Sequence, residues 1–215
     1  MTAPFLGPDG EPRCPWSRAA PEFLAYHDTE WGFPVGDDRR LFEKLSLEGF
    51  QSGLSWRTIL AKRENFRAAF AGFEVPAVAR FDRSDVQRLL GDAGIVRHRG
   101  KIEAVINNAR RVEELVEREG SLAAFVWRYE PDAGDLAEPQ TLSTSPASVA
   151  LSKDLKKRGW KFVGPTTVFA FMQAMGLIND HARECTIRLQ AQRIREEFDR
   201  PGPAARGTGP AGVQR

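Results

Sequence analysis

No stretch of this chain alternates apolar and polar residues over the length of a strand, while apolar residues return at three- and four-residue spacing through most of it. The clearest run is 101–117. Ile102, Val105, Ile106, Ala109, Val112 and Val116 share one side of it, and Arg110, Arg111, Glu113 and Glu114 face away. Gly120 ends the run and Ser121 opens the next, 122–128. Shorter runs cover 21–27, 76–80, 84–90 (with Ser84 as cap), 148–157, 166–175 and 179–190. The expectation is an all-α chain of about eight to ten short helices, held by mutual packing because pieces of that length are marginal alone in water. With 215 residues it can build one sizeable core, or two small lobes sharing a cleft.

The segment 39–65, RRLFEKLSLEGFQSGLSWRTILAKREN, organises the rest. Leu41, Leu45, Ser52 and Ile59 recur near helical spacing with Glu48 on the same stripe, and Ser52 and Trp56 follow Glu48 at successive turns. A carboxylate on the buried side of a helix is costly unless it is paired or used. The alternative is that Glu48 lies at the edge of the stripe and reaches water. Gly49 and Gly53 weaken the helix, so a break or two packed pieces is expected.

A formal net charge of +2 names no partner. Two cysteines make no disulfide framework. Residues 1–13 lack the basic and apolar regions of a signal peptide, and no apolar run reaches membrane-spanning length; the expected location is the cytoplasm and the expected state a monomer. Walker, Rossmann and serine-hydrolase motifs are missing.

Three groups of residues carry chemistry. Cys14, His27, His181 and Cys185 comprise both cysteines and two of three histidines, a full tetrahedral set for zinc. Their spacing matches no zinc finger, and two buried thiols with two surface imidazoles would fit equally. His181 and Cys185, four apart, would share one side of a helix. If a metal binds, four protein ligands leave no open position, so it is structural. The second group is the hairpin LKKRGWKFVGPTT. Gly159 and Gly164 bracket it, Val163 anchors it, and Lys153, Lys156, Lys157, Arg158 and Lys161 surround it. Amides near Gly164 and the start of a helix at Pro165 or Thr166 suit a phosphate, although a solvated packing unit has the same pattern. A shorter basic group, Arg97 to Lys101, decides nothing. The third group is aromatic: Trp16, Phe23, Tyr26, Trp31 and Trp56, together with Glu48, suit a flat cationic ring or an aromatic core with a rim glutamate.

The blocks RCPW, AYHDTEWGFP, LSLEGFQSGLSW, DAGIVRHRGKI and LKKRGWKFVGPTTVFAFMQAMGLINDH, in this order, resemble the DNA-3-methyladenine glycosylase I family over about 13–185. The resemblance implies a helix-hairpin-helix fold and removal of N3-methyladenine, less readily N3-methylguanine, from damaged double-stranded DNA without strand cleavage. It implies a structural zinc on Cys14, His27, His181 and Cys185, joining the N-terminal segment to the last helix. It also implies Glu48 as the catalytic carboxylate, Trp16, Tyr26, Trp56 and Phe23 as base-binding residues, and DNA-backbone contacts at Lys157, Gly159, Lys161, Gly164 and Thr166. Phe23 stands where family members can carry tyrosine. Asp180 is the nearest match to the aspartate of the wider glycosylase group, from which this family departs. No lysine nucleophile follows the hairpin, where the residues are Pro165, Thr166 and Thr167. The expected organisation is one unit of two closely packed helical lobes over 13–200, with 1–12 and 201–215 as flexible termini. A DNA-binding protein without chemistry, a broader alkyl-purine glycosylase and a purely structural zinc domain are the competing readings.

Overall fold

In a computed structural model, residues 5–202 are described. Eleven α-helices make up most of them, and the one strand pairing is a two-residue hairpin, Phe5–Leu6 (β1) antiparallel to Pro12–Arg13 (β2). The fold is all-α, as the periodicity implies. The hairpin corrects the expectation of a loose segment before Arg13. Gly7 N–H donates to the Glu11 carbonyl, and the Arg13 guanidinium ties Asp9 and Asp28 together. Residues 1–4 and 203–215, most of the expected flexible termini, lie outside the described residues.

At the centre is α2 (Asp38–Gln51), which starts where the Asp37 side chain accepts the Arg40 N–H. Every side chain from Leu41 to Phe50 is buried. A single apolar stripe therefore misdescribes α2. It is wrapped on all sides, by α7 (Arg99–Glu119), α8 (Leu122–Trp127) and α10 (Pro165–Ala174) among others, and its charged residues go inside with it. The break expected from Gly49 and Gly53 falls at 52–55. Ser52 is exposed, Ser55 caps α3 (Trp56–Ala61), and Trp56 reaches the Glu48 side from a separate helix.

Phe50, Phe66, Phe70 and Phe73 pack ring to ring between α2 and α4 (Arg63–Ala69). The core continues without interruption through α5 (Val75–Ala79), which lies along α7, to α9 (Pro146–Lys157) and α10. In α6 (Arg83–Gly91) the cap is Asp82, in a reciprocal capping box with Asp85, and not Ser84. The last helix, α11 (Thr186–Glu197), starts seven residues later than expected. The Arg188 guanidinium takes the carbonyls of Asn179 and His181, and Asn179 Nδ2 donates to the Arg188 carbonyl, so 179–185 is a braced turn. No described helix is long and apolar enough to cross a membrane.

Candidate active site

The 3-10 turn Pro15–Ala19 presents Trp16, α1 (Pro21–Thr29) presents Tyr26, α2 presents Glu48, and Trp56 opens α3. With Trp31, Gln51, Gln140, Leu142, Ala170, Gln173 and Asp180 they line one cavity of about 290 Å³. The rings meet at angles. Tyr26 and Trp56 lie 5.3 Å apart between centroids, Trp16 and Trp31 5.1 Å, and Trp16 and Tyr26 6.4 Å. Glu48 is 5% exposed, which excludes the solvent-facing alternative. Its Oε1 lies 2.8 Å from Lys44 Nζ, and its other oxygen takes no hydrogen bond among the described residues. Burial pushes the Tyr26 hydroxyl well above its usual range, with the Glu48 charge adding to the effect. Lys44 donates to that hydroxyl at 2.6 Å and stands 3.5 Å from the Trp56 ring centroid. Sequence reading missed Lys44, because a lysine one turn before a glutamate is an everyday surface pair until the whole helix is buried.

Phe23 corrects its assignment. It packs edge-on against Trp16 at 5.8 Å, behind that ring, and does not line the cavity. Its missing hydroxyl therefore changes the support of Trp16 and not the wall itself. Asp180 does line the cavity, but both oxygens are engaged, by the Gln140 amide at 2.9 Å and the Gln173 side chain at 2.6 Å. Burial raises its carboxyl, and these two bonds oppose the rise. A larger hollow of about 480 Å³ lies under the 130–147 connection and shares Leu142 and Asp180 with the aromatic cavity. It has no aromatic box of its own around a free carboxylate oxygen.

Cys14, His27, His181 and Cys185 are all buried, with their ligand atoms within 4.8 Å of one another. Buried imidazoles exclude the alternative of two surface histidines. Four of the six edges are 3.2 Å from His27 Nε2 to His181 Nδ1, 3.6 Å from Cys185 Sγ to His27, and 3.7 and 3.8 Å from the two sulfurs to His181. A tetrahedral zinc with ordinary bond lengths spans edges of roughly 3.3–3.8 Å. Second partners fix the tautomers to match. His27 Nδ1 faces Asp28 Oδ1 at 2.6 Å, and His181 Nε2 faces the Trp31 carbonyl at 3.0 Å, leaving Nε2 and Nδ1 respectively for a metal. The mutual hydrogen bond of the two thiols pulls Cys185 down and pushes Cys14 up, with burial opposing the first shift and adding to the second. Gly32, at φ +85°, is required here, since a Cβ would meet His181 Nε2 at 2.8 Å. The helix expected to carry His181 and Cys185 is not there. His181 lies in the braced turn and Cys185 is the N-cap residue of α11, so the cluster ties the N-terminal segment to the lead-in of the last helix.

Between α9 and α10 the chain turns at Gly159 (φ +82°) and Phe162 (φ +56°). Buried Asn108 clamps the turn by accepting the Lys161 N–H and donating to its carbonyl, both at 2.9 Å. Ser152 holds the carbonyl of Val163, which is core as expected. Lys157, Gly159, Lys161 and Thr166 are exposed, Gly164 is half-buried, and no side chain caps the first turn of α10. Within the Arg97 to Lys101 group, Lys101 is buried and donates to the carbonyls of Phe50 and Ser52, while Arg97, His98 and Arg99 stay exposed. Lys101 therefore braces the end of α2, and only part of that group is left for a ligand.

An all-α frame, a sheltered aromatic box with one half-engaged carboxylate, and a glycine hairpin together define a helical protein with a cavity whose shape and chemistry suit a flat ring. The chain belongs to the methyladenine glycosylase family, whose model matches residues 16–189. It is 50% identical over 177 residues to DNA-3-methyladenine glycosylase 1 of Escherichia coli, covering 80% of this chain and 95% of that one. The DNA-3-methyladenine glycosylase of Haemophilus influenzae is 41% identical over 177 residues, covering 80% and 96%. A crystal structure of 3-methyladenine DNA glycosylase I superposes with a TM-score of 0.77 at 48% identity, covering 81% of this chain and 98% of that one. A variant of a 3-methyladenine DNA glycosylase I, solved in complex with 3-methyladenine, has a TM-score of 0.76 at 37% identity, covering 82% and 97%.

Proposed function

We infer that this chain is a monofunctional DNA glycosylase that hydrolyses the N-glycosidic bond of N3-methyladenine, and less readily of N3-methylguanine, in alkylated duplex DNA, leaving an abasic site. The observation that carries this reading is the buried Glu48, which offers one unengaged oxygen to a cavity walled by three tryptophans and a tyrosine.

A base inside a duplex must leave the stack before such a cavity can hold it, at a cost of a few kcal/mol that weakened pairing reduces. In the cavity the aromatic faces of Trp16, Tyr26 and Trp56 hold a cationic ring, and Glu48 accepts from its exocyclic amine. When the glycosidic bond breaks, its electron pair passes to the base, which departs neutral. The positive charge moves to the sugar, where water attacks the anomeric carbon and loses a proton. The base leaves readily, so the cavity needs no strong acid. Pro165, Thr166 and Thr167 supply no amine for a Schiff base, in keeping with hydrolysis without strand cleavage.

Cys14, His27, His181 and Cys185 would hold a structural zinc, which when bound cross-links the segment carrying Trp16 and Tyr26 to the lead-in of α11. The hairpin amides near Gly159 and Gly164, with Lys157, Lys161 and Thr166, would grip phosphates flanking the lesion.

The direct test is incubation with methylated duplex DNA and identification of the released base. Release of 3-methyladenine with an intact backbone is expected; binding without release would leave only the non-enzymatic reading. Lys157→Ala should weaken duplex binding and reduce the salt slope of log K by about one. An unchanged slope would remove Lys157 from the phosphate contacts.

A further inference from the structure

Among the described residues, Lys44 is the one buried lysine whose charged end is given over to the walls of the cavity. Its ammonium donates to the Tyr26 hydroxyl at 2.6 Å, pairs with Glu48 Oε1 at 2.8 Å, and lies 3.5 Å from the centroid of Trp56 and 4.9 Å from that of Tyr26. It therefore touches three residues of the base pocket without lining the cavity itself. The two carboxylates behind it are matched by two guanidinium groups, since Arg63 pairs with Glu30 at 2.6 Å and with Glu43 at 2.7 Å, and Arg67 pairs with Glu43 at 2.9 Å. Lys44 is thus left as the counter-ion of Glu48.

We propose that Lys44 is a specificity-determining residue that makes the base pocket electrically neutral and tunes it toward the departing base and away from the bound cation. The proposal rests on the glycosylase reading above. Glu48 alone would favour any cationic ring over a neutral one. With an ammonium on its other oxygen, the carboxylate keeps its hydrogen-bond acceptor and loses most of its net field. A base bonded to the free oxygen then lies one carboxylate width and one hydrogen bond from the ammonium. Before bond cleavage that base is a cation and is repelled. As the bond breaks, its electron pair neutralises the ring and the repulsion is relieved, while the developing charge sits on the sugar, farther off. Lys44 therefore raises the energy of the bound cation more than that of the neutral leaving base, a difference that acts on kcat more than on kcat/KM.

The test compares two ligands of nearly the same shape, neutral 3-methyladenine and the permanently cationic 3,9-dimethyladeninium ion, by quenching of tryptophan fluorescence. Wild type, Lys44→Met, Glu48→Gln and the double variant are each titrated with both. Lys44→Met should favour the cation over the neutral base about tenfold more than wild type does, and Glu48→Gln should favour it about tenfold less. The double variant should return to the wild-type ratio. In single-turnover base release from methylated duplex, Lys44→Met should lower both KM and kcat. An unchanged ligand ratio across the four proteins would overturn the proposal, as would a fall in kcat with KM fixed. Should Lys44→Met fail to fold with Glu48 left unpaired, Glu48→Gln and the double variant still differ only at Lys44, and equal ratios in those two would overturn it. Wild type that neither binds 3-methyladenine nor releases it would sink the glycosylase reading as well, whereas active wild type with flat ratios sinks only the role of Lys44.

Discussion

Glu48→Gln should lower kcat/KM for release of 3-methyladenine by about 10²-fold, the usual size of effect when one preorganised electrostatic group is lost, because the flipped cationic base loses its carboxylate partner and meets an unopposed Lys44 ammonium. Duplex affinity should stay near wild type, because the contacts that carry it are to phosphates along the hairpin and not to the base. The substitution is nearly isosteric and keeps an oxygen able to accept from an amine, so the loss isolates the negative charge. It also strips the buried Lys44 ammonium of its partner. Breaking one side of a buried pair costs about 3–5 kcal/mol, or roughly 10 °C in melting temperature for a chain of this size. Rates should therefore be taken well below the transition, with the fold checked by circular dichroism. Base release at the wild-type rate would remove Glu48 from the chemistry and leave the aromatic box as a binding site only.

Cys185→Ser should abolish stoichiometric zinc and lower the melting temperature by about 10 °C, as a loss of roughly 4 kcal/mol of metal-linked folding energy would require. A hydroxyl in place of the thiolate leaves three donors, and serine is a poor zinc ligand at neutral pH. Because Cys185 is also the first residue before α11, the loss should spread to the N-terminal hairpin, where Thr186 Oγ1 donates to the Pro12 carbonyl. A strong chelator should reproduce the melting shift in the unmodified protein and have little further effect on the variant. Full zinc occupancy in Cys185→Ser would refute the ligand set. A metal-free protein that melts as before would show that hydrogen bonds alone hold the cluster.

Much of the frame was legible in the order of residues. The 101–117 stripe appears as Arg99–Glu119, with the stop at Gly120 and the restart at Ser121 as expected, because capping and periodicity are local. The hairpin between Lys157 and Pro165 was legible for the same reason. The family blocks pointed to the four metal donors, but local pattern put two of them on a helix that does not form. The turn 179–185 is held by Arg188, a residue that follows it, and that bond is invisible to a window moving along the chain. The resemblance puts Phe23 among the base-binding residues; only the direction of α1 decides that it stands behind Trp16.

Residue types and spacing were enough to establish an all-α chain and its hairpin, since each of these depends on neighbours within a few turns. The thiol and imidazole donors, far apart in the chain, and the role of Glu48 rested instead on the family resemblance. Which charges went inside was decided by the way the helices pack. Once α2 is enclosed on every side, Lys44 and Glu48 have no solvent to reach and must answer one another, and the pocket inherits a neutrality that neither residue displays alone.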